Sequence, residues 1–173
     1  PEDTPKIWKE LEKYIEFKEP HKVWDDLTPT RHLGCEYKVS AIKSKKEDIL
    51  TTIKSSMGDY FRDIVRRFEE RMKVTVVNAE TPWLDQGAEK RYKDELTQPG
   101  KYGFMAASPL MAGLYGARAT RPDQIIPTIR LARRTTKWTA YDDRRLLRYL
   151  GYMRNSADLG LVGSLSTADL DTC

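Results

Sequence analysis

The run Thr120-Arg121-Pro122-Asp123 constrains this chain more than any other stretch. It separates two helix-length apolar segments. Proline lacks a backbone N–H and has a fixed φ, so it breaks a helix from within but opens one well. Asp123 then falls in a first helical turn, where a carboxylate favours the dipole. The run ends one helix and starts another, and Arg121 is placed to pair with Asp123 or with a carboxylate on a neighbouring helix. Three helices follow from this corner. Phe104 to Ala119 is rich in Ala, Met, Leu and Gly, which predicts close packing. Pro122 to Thr135 would bury Ile125, Ile126, Ile129 and Ala132, with Pro127 demanding a kink or a later start. Thr139 to Arg154 would bury Leu146, Leu147, Leu150 and Met153.

Upstream, Gly58 to Met72 carries the clearest amphipathic pattern. Tyr60, Phe61, Ile64, Val65, Phe68 and Met72 form one stripe, opposite Arg62, Asp63, Arg66, Arg67, Glu69, Glu70 and Arg71. Arg66 and Glu70 are four apart and pair internally. Lys6 to Phe17 repeats the pattern, opened by Thr4-Pro5 and closed by Glu19-Pro20. Lys22 to Trp24 reads as a short strand, and Pro29-Thr30 as a turn. Over His32 to Ile42, Leu33, Cys35, Tyr37, Val39 and Ala41 alternate with polar residues, the period of a half-buried strand. Gly34 inside it marks a bulge or a close backbone approach. Lys45 to Leu50 continues the ladder weakly, Val74 to Val77 is a short strand, and Leu159 to Leu165 returns to strand. Ala79 to Gly103 reads as a long surface loop, and Ser166 to Asp169 as a capping box. The expected core includes Leu33, Tyr37, Phe61, Ile64, Phe68, Leu114, Ile129, Leu147 and Leu150. The fold class is α+β and helix-dominated, with a small antiparallel element at about 30–45 and four to five helices.

Composition narrows the function classes. A net charge of +4 over 173 residues is mildly basic, compatible with a phosphate-rich partner without requiring one. Cys35 and Cys173 make neither a metal spacing nor a disulfide framework, which fits a reducing, intracellular compartment. No apolar run reaches the length of a membrane span, and no small-molecule cofactor motif is present. His21 and His32 have no nucleophile or metal partner by spacing. Asp25-Asp26 lacks the flanking strand-turn-strand apolar pattern, and Asp142-Asp143 fits a helix N-terminus. Neither pair reads as a two-metal site, so the residues name no catalytic group, metal or cofactor.

Leu114 to Asp123 followed by Arg145-Leu146-Leu147-Arg148-Tyr149-Leu150 resembles the segment between the polymerase and ribonuclease H centres of copia-type retrotransposon reverse transcriptases. That family carries a "Leu-x-Tyr-x-x-x-x-Thr-Arg-Pro-Asp" run, an apolar helix and "Arg-x-Leu-Arg-Tyr-Leu". Arg31 to Tyr37 is similar to its "Arg-Phe-Leu-Gly-x-Glu" hairpin, with His32 in place of the aromatic. In reverse transcriptases the equivalent hairpin is the primer grip. From the residues alone the same segment reads equally as an edge strand of a small sheet. Asp59 to Met72 with Thr81-Pro82 resembles the family's thumb helix and its sequel. The resemblance implies three parts: 1–44 as the end of the palm with a grip-like hairpin, 45–103 as a thumb-like helix and loop, and 104–173 as the connection. It implies phosphate contacts at Arg31, Lys38, Arg62, Arg66 and Arg67, with Gly34 admitting the backbone closely. The parent family is an RNA-directed DNA polymerase, and neither of its metal-binding carboxylate clusters falls within this chain. The expected role is therefore non-catalytic gripping of a primer/template duplex. The rival is a degenerate or domesticated subunit of a larger protein assembly, docking through its helical surface.

Overall fold

The computed structural model describes residues 4–15, 30–43 and 49–166. Among the described residues, six α-helices and one four-stranded antiparallel sheet make an α+β, helix-dominated fold. In chain order these are α1 (Thr4–Leu11), β1 (Thr30–His32), β2 (Cys35–Lys43), β3 (Ile49–Ser56), α2 (Gly58–Met72), α3 (Ala88–Arg91), α4 (Gly103–Thr120), α5 (Ile125–Ala132), α6 (Ala140–Asn155) and β4 (Leu161–Ser166). The strands lie in sequence order, β1-β2-β3-β4. Among the described residues no helix is long and apolar enough to cross a membrane. The readings at Glu19-Pro20, His21, Lys22 to Trp24, Asp25-Asp26, Thr167 to Asp169 and Cys173 lie outside the described residues.

The core forms where α2 packs on α4 and α6, and α5 packs on both of the latter. Phe61, Ile64, Val65 and Phe68 bury the stripe of α2, as its periodicity demands. They meet Leu110, Leu146, Tyr149, Leu150 and Met153. Gly116 lets α4 approach: a Cβ there would sit 2.7 Å from the Phe61 ring. Tyr149 is fully buried, and its hydroxyl shares a 2.7 Å hydrogen bond with Thr128 Oγ1. Burial pushes the phenol pKa upward. At the start of α6, Thr139 and Asp142 form a reciprocal capping box. Asp143 takes the main-chain N–H of Tyr102 at 3.0 Å and Trp138 Nε1 at 2.6 Å. The paired carboxylates at 142–143 thus serve a helix end.

Several elements differ from the sequence reading. The alternation over His32 to Ala41 is not one strand, because the chain reverses at Leu33 and Gly34, with φ of 49° and 83°. A two-residue hairpin turn of type I′ has positive φ at both central positions, which glycine takes without strain. Leu33 therefore leaves the core and is 72% exposed. Val74 to Val77 forms no strand; the Val76 N–H is satisfied instead by Glu69 Oε1 at 2.7 Å. Ala79 to Gly103 is not a plain loop. It contains α3 and a 3₁₀ turn at Lys93–Leu96, and Arg144 clamps Glu95 through two 2.6 Å hydrogen bonds. The helix after Pro122 starts later, at Ile125, behind a 3₁₀ turn. Pro127 then falls in the first turn, where its missing N–H costs nothing. Pro127, Thr128 and Leu131 are buried there, whereas Ile126 is 59% and Ile129 37% exposed. Leu114, Tyr37 and Leu147 are only partly buried.

Candidate nucleic-acid interface

The register of the sheet builds one polar face. Arg31 lies opposite Glu36, Glu36 opposite Ser56, and Lys38 opposite Lys54. Directly opposed residues share a face, so Arg31, Lys38 and Lys54 all point to the same side. The other side carries Cys35, Tyr37, Val39 and Ile53. β3 runs into α2 through the single residue Met57, which brings Arg62 over the end of the polar face. The result is a cleft of about 260 Å³ lined by Arg31, Gly34, Lys38, Lys54 and Arg62, with Glu36, Asp59 and Asp158 among them.

The carboxylates partly neutralise the cleft. Lys38 Nζ is 3.4 Å from Glu36 Oε1. Arg62 pairs with Asp59 at 3.2 Å and more closely with Asp158, on the turn after α6. The Arg62 hydrogen bond holds the Asp158 carboxyl below the usual carboxylate range. Lys54 Nζ donates to the Asp158 carbonyl at 3.1 Å. Among the described residues, Arg31 has no carboxylate within ion-pairing range.

Four of the six residues singled out from sequence thus converge: Arg31, Gly34, Lys38 and Arg62. Gly34 supplies the hairpin turn, and a Cβ there would lie 3.3 Å from the Met57 Cε. Arg66 and Arg67 stand farther along α2. Arg66 bonds Glu70 at 2.8 Å and pairs with Asp63, which also holds Arg67. The Arg66 hydrogen bond lowers the Asp63 pKa. Arg67 lies on the shoulder facing α4, beside Arg71 and Ser108. Lys54 was not among the sequence candidates. Its signal was the alternation Leu50, Thr52, Lys54, Ser56, which reads only once β3 is recognised as a strand. His32 falls on the opposite side, in a groove with Tyr37, Met111 and Tyr115. Among the described residues no group of three or more His, Cys, Asp or Glu is placed to hold a metal ion. Comparison with family models, curated proteins and solved structures found no match to this chain.

Proposed function

We propose that this chain grips the sugar-phosphate backbone of a primer/template duplex, as the grip hairpin and thumb of copia-type reverse transcriptases do, and contributes no polymerase centre of its own. The observation that carries the reading is the single cleft where the β1–β2 hairpin and α2 meet, with Arg31, Lys38, Lys54 and Arg62 on its walls. Cations so arranged track phosphates without reading bases. Arg62 is 43% exposed and its partner Asp158 86%. Ion pairs this exposed are screened by water and add little to stability, so a phosphate can displace the carboxylate. The test is anisotropy of a labelled RNA–DNA hybrid across a salt series. Binding should be weak, steeply salt-dependent and indifferent to sequence, and each phosphate contact removed should lower the salt slope by about 0.7–0.9.

A second reading, a structural subunit of a larger assembly, is favoured by two observations. Arg66 and Arg67 are held by their own helix. Phe104, Met111 and Tyr115, 79%, 49% and 48% exposed, share one side of α4. Absence of hybrid binding even at low salt would favour this second reading over the first.

A further inference from the structure

The β1–β2 hairpin has two sides, and the cleft of cations occupies only one. On the other side a groove of about 570 Å³ lies between the hairpin and α4. His32, Leu33 and Tyr37 form one wall, and Met111, Tyr115 and Arg118 the other. Met111, Tyr115 and Arg118 follow helical spacing, so they line up along one side of α4. Tyr115 is 48% exposed, yet its ring is held at two points. Its hydroxyl donates to the Leu33 carbonyl at 3.1 Å, and its ring meets Tyr60 edge-on at 5.8 Å between centroids. A half-exposed ring fixed in this way offers a flat surface that loses little freedom when something stacks on it. Among the described residues the lining holds one guanidinium and no carboxylate, whereas Glu36, Asp59 and Asp158 line the cleft on the other side.

We propose that this groove takes an unpaired nucleotide at the end of the gripped duplex, its base stacked on Tyr115 and its phosphate paired with Arg118. The inference rests on the gripping reading and adds a single-strand subsite to it. Stacking on an aromatic side chain tolerates any base, because every base has a π-face, and a guanidinium suits a phosphate. Leu33 lines the groove and Gly34 lines the cleft, so the two sites meet at the hairpin turn. A strand that leaves the cleft over this turn enters the groove. An apolar peptide would cover the rings and leave Arg118 unused, and an acidic one would engage Arg118 and leave the rings uncovered. A nucleotide engages both.

The test is anisotropy of a labelled RNA–DNA hybrid carrying a short adenosine overhang. Its controls are the blunt hybrid and the same overhang made abasic, which keeps the phosphates and lacks the bases. The adenosine overhang should bind about tenfold more tightly than the abasic one. Tyr115→Ala should remove that difference. Tyr115→Phe keeps the ring, loses only the hydrogen bond to Leu33, and should retain it. Met111→Glu covers the case in which Tyr115→Ala loosens the hairpin. It places a carboxylate at a 49% exposed position on the same wall and should also abolish the preference. Arg118→Ala should weaken both overhangs alike and leave the blunt hybrid unchanged. If the blunt hybrid fails to bind, the gripping reading falls, and 2-aminopurine in an isolated single strand still decides the groove. Its fluorescence should be quenched by the protein and not by Tyr115→Ala; an unquenched strand overturns the proposal. Equal binding of the adenosine and abasic overhangs also overturns it, as does a preference that survives in both Tyr115→Ala and Met111→Glu.

Discussion

The guanidinium of Arg121 clasps the carboxylate of Asp123 through two parallel hydrogen bonds, Nε to Oδ1 at 2.9 Å and Nη2 to Oδ2 at 2.7 Å. Arg121 is only 2% exposed and also donates to Ser156 Oγ at 2.8 Å, tying the α4–α5 corner to the end of α6. Tyr152 adds a 2.7 Å hydrogen bond to Asp123. Burial alone would raise the Asp123 pKa, but the hydrogen bonds from Arg121 and Tyr152 outweigh it and hold the carboxyl low. A carboxyl depressed by folding stabilises above its unfolded pKa of about 3.9, and that stability is lost as pH falls through the lower folded value. Asp123→Asn should cost about 1.5 kcal/mol at neutral pH, the low end for a charged hydrogen bond because the carboxylate is 42% exposed. Urea melts of both proteins should converge as the pH drops below about 4.

On α6, Leu150 is fully buried in the core, and Leu147 only partly. Leu150→Ala should cost about 2–5 kcal/mol and Leu147→Ala clearly less. Equal midpoint shifts in denaturant would contradict this packing of α6.

Gly116 faces the Phe61 ring across the α2–α4 contact. Gly116→Ala should destabilise by about 1–3 kcal/mol through overpacking. Phe61→Leu, which shortens the opposing side chain, should recover part of that loss in a double-mutant cycle.

In hybrid binding, Arg31→Ala with Lys54→Ala should lower the salt slope more than Arg66→Ala with Arg67→Ala. The first pair faces the cleft, whereas Asp63 and Glu70 hold the second. Slopes in the reverse order would place the phosphates along α2 and away from the hairpin.

Thr139→Ala removes the capping hydroxyl of α6 and should cost about 1 kcal/mol. Thr139→Ser keeps the oxygen and should restore most of the thermal midpoint.

The sequence by itself determined the helices that carry the core and the corner between α4 and α5. Apolar spacing within α2 and α6, the Pro122 break and the acidic pair Asp142-Asp143 at a helix start act over a few residues, so they can be read locally. The arginines of α2 were legible as solvent-facing for the same reason. Only the tertiary structure decided what depends on residues far apart in the chain. The reversal at Leu33 and Gly34 interrupts an alternation that continues in letters, and it moves Leu33 from the expected core into solvent. The place of Lys54 beside Lys38 depends on the register between β2 and β3. Arg62 finds Asp158 across 96 positions of chain, while Arg66 finds Glu70 one turn away. Local periodicity sets which side chains leave the helix, and cross-strand register and chain reversal set which of them meet.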